Sequence, residues 1–225
     1  MHRYTGTTIV KDSFFANPFA VMQLADRLDY SNNQAYPGQR TENLFASQDK
    51  EVIEFGKHFA KRIADEIFYG LKKFEIDIRF HKNDVYDVEE ANIGWIHNDD
   101  SNLAGLVYLN PEPSSMITGT SIFEKKDPAE FETQDYVSRT HLNLTKEVTG
   151  QYLKDVQNNH EQFEETLNVG NVFNRLVAYD SNMWHRPNDY RVSNLPRLSL
   201  LFFIKVTDSE NPMSLLSLQS EWIDE

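Results

Sequence analysis

The sequence predicts an α+β or mainly β fold, a β-sandwich or jelly roll braced by helices near the N-terminus. Residues 1–73 combine a short strand with two amphipathic helices, and from residue 74 onward the hydrophobic pattern changes to a period of two in short segments. The chain has 225 residues, of which 40% are hydrophobic. This size and composition are typical of one ordinary globular domain, which we place at 1–225.

The first 73 residues are predicted to be a helical support region. Asn17 followed by Pro18 is typical of a helix start, because asparagine caps the first turn and proline has no N–H to leave unpaired there. Residues 36–40, with their Pro-Gly pair, are predicted to form a turn or loop. Ser47 is predicted to cap a second helix, which carries an apolar stripe and ends near Gly70.

Residues 74–206 are predicted to form the jelly-roll core. Apolar and charged residues alternate over 74–80, which indicates a half-buried strand. Further strands are predicted at 93–97, 103–109, 121–124, 172–179 and 198–206.

A polar, partly helical stretch at 127–170 is predicted to be an insertion between two strands. Its apolar residues fit one helical stripe, formed by Leu153, Val156, Phe163 and Leu167. Long insertions in compact domains often serve as lids or binding loops. A helix without a functional role explains the same pattern, and the sequence leaves both interpretations open.

The charge balance limits the classes of partner. The chain has 35 acidic and 22 basic residues and a net charge of −13, which argues against nucleic acid or an anionic membrane surface as the main partner. The strongest apolar run, 200–204, is too short to span a bilayer. The N-terminus does not resemble a secretory signal, so we expect a cytoplasmic protein that acts on a small molecule, peptide or protein. The sequence does not indicate an oligomeric state.

The residue types available for metal binding are restricted, because the chain has no cysteine and any metal must be held by His, Asp or Glu. Two of the seven histidines stand out. His97 and Asp99 form an H-x-D pair that would share one face of a strand, and His185 follows a predicted strand in a polar turn. Two imidazoles and one carboxylate match the facial triad of non-haem Fe(II) oxygenases, although zinc can bind the same three residues.

A cation is predicted to point into the apolar barrel. Arg197 opens the last apolar strand and shares a strand face with Ser199. A buried guanidinium requires an anion, and it holds a carboxylate through two parallel hydrogen bonds to which a serine hydroxyl adds a third. A protein carboxylate would satisfy Arg197 equally well. Arg191, next to the turn 188–190, is a rival anchor.

The combination of an H-x-D pair, a distal histidine and an R-x-S motif resembles the Fe(II)/2-oxoglutarate dioxygenase superfamily over roughly residues 74–206. Leu106–Pro111, which contains Tyr108, is similar to the Y-L-N segment of the prolyl 4-hydroxylase branch. Gly119-Thr120 stands where a pair of glycines is usual in that branch. The chain's opening, up to the Pro-Gly pair, is similar to bacterial and phage members of the superfamily.

The resemblance implies a double-stranded β-helix, a cupin-like jelly roll, with a defined cofactor set. Fe(II) would be held by His97, Asp99 and His185. The distal carboxylate of 2-oxoglutarate would be held by Arg197, Ser199 and Tyr108. With O₂ as oxidant and ascorbate as a reductant that keeps iron ferrous, the protein would hydroxylate a C–H bond of a peptidyl proline, another amino-acid side chain or a small molecule, with release of succinate and CO₂.

Two other functions stay open at this stage. The jelly roll could be a non-catalytic module that binds a metal or another ligand, or the triad could hold zinc in a hydrolase. Aromatic and charged residues near the motifs are candidates for substrate contact, although each is interpreted first as a core or surface residue: Tyr36, Arg40, Trp95 and Trp184.

Overall fold

The computed structural model describes residues 7–68, 71, 73–111, 118–127, 137–192 and 195–208. In these residues the helices are α1 (Pro18–Asp26), α2 (Lys50–Glu66), α3 (Val137–Thr145) and α4 (Gly150–Glu161). The strands are β1 (Thr8–Lys11), β2 (Ser31–Asn33), β3 (Tyr36–Arg40), β4 (Lys73–Lys82), β5 (Leu103–Tyr108), β6 (Thr120–Lys125), β7 (Phe163–Val169), β8 (Leu176–Asp180), β9 (Trp184–Pro187), β10 (Arg191–Val192), β11 (Leu195–Pro196) and β12 (Leu198–Asp208).

The strands form two facing antiparallel sheets, as the predicted jelly roll requires. The larger sheet has the strand order β1-β8-β5-β12-β4-β3-β2, and the smaller sheet has the order β7-β6-β9. Strands β10 and β11 form a separate two-stranded ribbon immediately before β12. Strand β12 lies between β4 and β5 in the middle of the larger sheet. The predicted fold class is therefore confirmed.

The main hydrophobic core lies between the larger sheet and helices α1 and α2. Ile63 of α2 and Phe202 of β12 are both fully buried, and Phe59 meets Phe202 edge to face at a ring distance of 5.6 Å. Burial of each such side chain stabilises the fold by about 1.5–3 kcal/mol relative to exposure. This packing fixes one face of β12, so the alternate residues of the strand face the smaller sheet.

The predicted capping residue is confirmed for α1 and is wrong for α2. Asn17 caps α1 as predicted, and its side chain accepts a hydrogen bond from the N–H of Ala20 (3.2 Å). Helix α2 is capped by Asp49 and not by Ser47, whose hydroxyl instead accepts a hydrogen bond from the Asp49 N–H (3.1 Å). Gly70 lies outside the described residues, and α2 already ends at Glu66.

Two segments adopt a different structure from the predicted one. Residues 36–40 form strand β3 and not a turn, because Gly38 has a φ of +87° and lets the chain approach β4. A Cβ at Gly38 would lie 2.2 Å from the Lys82 carbonyl oxygen, so no other residue fits there. Residues 93–97 form no strand apart from a single bridge between His97 and His185.

The predicted insertion contains α3, α4 and β7. Leu153 and Val156 lie on α4, whereas Phe163 and Leu167 belong to β7, so the single helical stripe is wrong. Leu167 is 41% exposed. Strand β7 pairs with β6 and completes the smaller sheet, which explains why a short apolar run follows the helix.

No helix in the described part of the chain is long and apolar enough to cross a membrane.

Candidate metal centre and its cavity

A cavity with about 680 Å³ of empty space opens between the two sheets. Its walls come from β4, β5 and β12 of the larger sheet, from the region around β9, from β3, and from α3. The lining includes five of the residues singled out in the sequence: His97, Asp99, His185, Arg197 and Ser199.

The H-x-D pair and the distal histidine converge at one point. One potential ligand atom from each of His97, Asp99 and His185 lies within 4.8 Å of the others. The Asp99 carboxylate oxygens are 3.8 Å from His97 Nε2 and 3.4 Å from His185 Nε2. The two histidines are held by reciprocal backbone hydrogen bonds of 3.0 and 2.8 Å, and the Asp99 N–H donates to the Ser181 carbonyl (2.9 Å). The convergence therefore depends on backbone pairing between distant segments and not on the strand expected at 93–97.

The hydrogen bonds of the imidazoles determine which nitrogen faces the carboxylate. His97 Nδ1 donates to the Trp95 carbonyl (2.8 Å), and His185 Nδ1 donates to the Met183 carbonyl (2.9 Å). A carbonyl can only accept, so both Nδ1 atoms carry a proton, and in the neutral form of each ring Nε2 is the atom with the lone pair. This orientation of a ring by its second nitrogen is typical of metal-binding histidines.

Electrostatics keep the triad in the form that binds a cation. Burial and the neighbouring His185 lower the pKa of His97 to about 3, although Asp99 opposes the shift. Burial raises the pKa of Asp99, but the charge and hydrogen bond of His185, with a contribution from His97, outweigh it and lower the pKa to about 2. At neutral pH His97 is therefore neutral and Asp99 is ionised, which are the states that ligate metals.

Arg197 lies deep in the cavity and is 3% exposed. Its guanidinium donates to the Gly119 carbonyl (3.2 Å) and to Thr120 Oγ1 (3.4 Å), while its Nε has no partner. The Tyr108 hydroxyl is bonded to Thr120 Oγ1 (2.8 Å), and the Arg197 guanidinium carbon lies 5.1 Å from the Tyr108 ring centroid. Ser199 is 1% exposed and lies directly opposite Tyr108 on the neighbouring strand. No carboxylate of the described residues pairs with Arg197.

The backbone around Arg197 is held by Asn110, the last residue of the Y-L-N segment. The Asn110 side chain donates to the Pro196 carbonyl (3.1 Å) and accepts from the Leu198 N–H (2.7 Å), so it clamps both neighbours of Arg197. In addition, the Asn83 N–H donates to the Arg197 carbonyl (3.0 Å). Arg197 precedes β12 by one residue, and these bonds fix its direction although it lies just outside the strand.

The rival anchor is in a different environment. Arg191 bonds bidentately to Asp189 and lies 3.4 Å from Glu89. The hydrogen bond to Asp189 raises the pKa of Arg191 above its ordinary value. Its side chain is 37% exposed. Arg191 thus already has its counter-ions, whereas Arg197 has none among the residues that the structure describes.

Two residues of the cavity wall were not predicted as parts of the site. Thr120 links Arg197 to Tyr108, and it stands in the Gly119-Thr120 pair that departs from the related motif. His81 donates to the Pro37 carbonyl (2.7 Å) and also lines the cavity. Strand parity on β6 and β4 is the signal that could have indicated both.

A comparison with family models matches residues 93–195 to a family of unknown function, DUF6445. The matched segment includes His97, Asp99, Tyr108 and His185 and ends two residues before Arg197. It spans less than half of the chain. No curated protein matches the sequence.

Solved structures match over most of the chain. HygX from Streptomyces hygroscopicus, with nickel, 2-oxoglutarate and hygromycin B bound, has a TM-score of 0.59 at 12% identity, and the match covers 90% of this chain and 84% of HygX. An oxidoreductase of the 2OG-Fe(II) oxygenase family from Burkholderia pseudomallei has a TM-score of 0.51 at 11% identity, covering 92% and 88%. The chain has the fold of the 2-oxoglutarate/Fe(II) oxygenases.

A prolyl 4-hydroxylase from Pseudomonas putida also matches, at 15% identity and with coverage of 91% and 95%. Its TM-score of 0.45 is too low to support the resemblance to that branch. Within the oxygenase fold, the triad and Arg197 of this chain lie in the space between the two sheets.

Proposed function

We propose that the protein is a non-haem Fe(II)- and 2-oxoglutarate-dependent oxygenase that hydroxylates a C–H bond of an amino-acid side chain, a peptidyl proline or a small molecule. The observation that carries the proposal is the presence, in one cavity, of a convergent His-Asp-His triad and a buried arginine with which no carboxylate of the described residues pairs. The fold supports the same class.

The donor set fits a ferrous ion. Two neutral imidazole nitrogens and one ionised carboxylate, all on one side of the site, would leave the remaining coordination positions open. His97, Asp99 and His185 would hold the ion. An iron ion there supplies, together with 2-oxoglutarate and O₂, the oxidation that converts C–H to C–OH and releases succinate and CO₂. Nickel and iron occupy HygX in separate structures, so metals of this kind suit the fold.

The Arg197 pocket fits the distal carboxylate of 2-oxoglutarate. Burial makes an unpaired guanidinium unfavourable, and a dianionic cosubstrate would provide the missing charge. Arg197 would hold the carboxylate, Ser199 lies on the same wall, and Tyr108 would act through Thr120, to which its hydroxyl is already bonded. Asn110 would keep Arg197 in position.

The chain's own residues would then orient the reactants and limit water. The backbone bridge between His97 and His185 would hold the two imidazoles in position before the metal binds. Leu106, Leu201 and Phe203 give part of the cavity wall an apolar surface. Such a wall would exclude bulk water from the site and would strengthen the charge interactions in it.

The zinc hydrolase is less well supported. Apart from Asp99, no carboxylate of the described residues lines the cavity between the sheets. These residues therefore offer no carboxylate as a general base separate from the metal ligands. His81 is committed to the Pro37 carbonyl, and burial, with the charge of Arg40, lowers its pKa well below the ordinary value. A non-catalytic metal-binding module is also less well supported, because such a module would not need an arginine that binds a carboxylate beside its metal.

The test is an anaerobic titration of the purified protein with Fe(II) and 2-oxoglutarate. We expect a weak visible charge-transfer band that saturates with both ligands, and succinate formation once O₂ is admitted. His185→Ala and Asp99→Ala should lose the band and the turnover. His141→Ala, which alters an exposed histidine on α3, should retain both. Absence of the band in the parent protein, or its persistence in His185→Ala, would refute the proposal.

A further inference from the structure

Arg40 stands between the cavity described above, the inner cavity, and a second space on its outer side, the outer groove. Residues 75–77, 98–101 and Lys205 line the outer groove and not the inner cavity, apart from Asp99, which lines both. Arg40 is the last residue of β3, and its side chain lines both spaces, as do His97 and Asp99. Arg197, by contrast, lines the inner cavity but not the outer groove. A molecule that enters through the outer groove would therefore meet Arg40 before it reaches the deeper anchor.

The Arg40 guanidinium is positioned but not neutralised. Its carbon lies 3.7 Å from the Tyr36 ring centroid and 5.7 Å from that of Phe203, so the side chain is held against aromatic rings. Its Nε is buried without a partner, and no acceptor of the described residues bonds to the guanidinium. Burial lowers the pKa of Arg40 to about 10, so it remains a cation at neutral pH.

The charged residues that line the inner cavity would also favour an anion. The charged side chains among its described lining residues are Arg40, Arg139, Arg197 and Asp99. A ferrous ion and a 2-oxoglutarate dianion have opposite formal charges of equal size, and Asp99 balances one arginine, so Arg40 and Arg197 together would still leave the loaded site one positive charge in excess. In a chain whose net charge is −13, a cationic pocket is contrary to the overall composition.

Acidic residues of the outer groove do not remove this excess. Asp77 accepts two hydrogen bonds from Arg79 (2.8 and 3.0 Å), and Asp100 lies 3.7 Å from Lys205. Glu75 lines the same groove and is exposed, so water screens its charge.

A second cation lies on the same side of the site. Arg139 of α3 lines both the inner cavity and the outer groove, and it donates to the Ala35 carbonyl (3.4 Å) next to β3. His97 and Asp99 line the same two spaces, so Arg139 lies on the side of the site where the triad is. Helix α3 thus brings a basic residue of the predicted insertion to the mouth of the cavity.

We infer that Arg40 binds an anionic oxygen group of the substrate, a carboxylate or a phosphate, and that Arg139 adds to the attraction. This inference rests on the proposed oxygenase function and names its substrate class: an acid whose charged group stays at the mouth while a C–H bond points toward the triad. A guanidinium held between aromatic rings pairs with such a group through two hydrogen bonds.

The test uses the full chain loaded with Mn(II) and saturating 2-oxoglutarate, with binding measured by calorimetry. The probes are N-acetylated amino acids and hexose phosphates, each compared with its neutral counterpart, the carboxamide or the free hexose. We expect at least one acid to bind the parent protein and its neutral counterpart to bind roughly tenfold more weakly or not at all. The carboxylate and phosphate arms decide which anion is recognised.

The variants are Arg40→Gln and Arg40→Lys, with Arg79→Gln as the matched control. Arg79 carries the same charge on the neighbouring strand β4, but it is paired with Asp77 and lines neither space. Arg40→Gln should weaken the acid roughly tenfold or more, Arg40→Lys should lie between it and the parent because it keeps the charge without the planar fork, and Arg79→Gln should bind as the parent does. Affinity for 2-oxoglutarate should stay unchanged in all three.

The outcomes separate the inference from the proposed function. Failure of the parent protein to bind Mn(II) and 2-oxoglutarate would overturn the proposed function and this inference with it. Normal 2-oxoglutarate binding, together with no acid that binds better than its neutral counterpart, would overturn the inference alone. Equal loss in Arg40→Gln and Arg79→Gln would also overturn it, because a general charge effect would then explain the result.

Discussion

Replacement of Arg197 by methionine should weaken 2-oxoglutarate binding strongly without destabilising the ligand-free protein. Arg197 is 3% exposed and no carboxylate of the described residues pairs with it. Burial of an unpaired cation is unfavourable because the charge loses its hydration. Methionine has a similar length and no charge, so the variant avoids this penalty.

The acceptors that Arg197 uses keep another donor in this variant. The Gly119 carbonyl also accepts from the Asn188 N–H (3.0 Å), and Thr120 Oγ1 is bonded to the Tyr108 hydroxyl (2.8 Å). The substitution therefore leaves no buried acceptor without a partner, which is the costly case. We expect the free energy of unfolding of the ligand-free variant to stay within about 1 kcal/mol of the parent value or to exceed it.

The effect on the cosubstrate should be much larger. A hydrogen bond to a charged group contributes about 1.5–3 kcal/mol, which corresponds to a tenfold to hundredfold change in affinity. With 2-oxoglutarate at a hundred times the parent dissociation constant, the ligand should raise the unfolding free energy of the parent by about 2.7 kcal/mol. The same concentration should raise that of Arg197→Met by only about 0.4–1.4 kcal/mol.

The assay is urea unfolding of the Mn(II)-loaded protein with and without 2-oxoglutarate, supported by calorimetry. Arg191→Met is the matched control, because Arg191 is paired with Asp189 and Glu89 and should keep the full effect of the ligand. A ligand-free Arg197→Met protein that is several kcal/mol less stable, yet responds normally to 2-oxoglutarate, would refute the reasoning. Loss of the response in Arg191→Met alone would move the anchor to Arg191.

Two further predictions concern stability. Burial, together with neighbouring arginine charges, lowers the pKa of His81 well below its ordinary value of 6.5, so its contribution to stability is present above that value and is lost as the pH falls. Between pH 7.5 and 5.0 the ligand-free parent should therefore lose more unfolding free energy than His81→Gln. Equal pH profiles in the two proteins would contradict this. Gly119→Ala should lower the unfolding free energy by about 1–3 kcal/mol or more, because its Cβ would lie 1.8 Å from the Val169 carbonyl oxygen. Gly150→Ala, which has no atom within 4 Å of the added Cβ, should cost nothing in thermal unfolding, and an equal loss in both would show that space is not the cause.

The periodicity of the sequence was sufficient for the elements whose pattern is local. Strands β5, β6 and β12 and helix α1 lie where alternation, helical spacing and the Asn17 cap predict them. The short strands β9, β10 and β11 were not predicted, because two to four residues give too little pattern to distinguish a strand from a turn. Strand β3 was taken for a turn because of its Pro-Gly pair.

The candidate site, like the fold, could be predicted from the sequence only in part. The residue types and the order H-x-D, His, R-x-S are properties of the sequence, and they were enough to select His97, Asp99, His185, Arg197 and Ser199. Their roles remain predictions. The structure gathers these five residues around one cavity.

Only the tertiary structure decided how these residues come together and what surrounds them. His97 and Asp99 do not lie on a strand, and their approach to His185 depends on a backbone bridge between segments far apart in sequence. The position of Arg40 at the mouth likewise depends on which distant elements pack against each other. The same holds for the surroundings of Arg197, where the described part of the chain places no carboxylate. Local sequence determines the direction of a side chain along its own element, but the partners that satisfy its charge come from elsewhere in the fold.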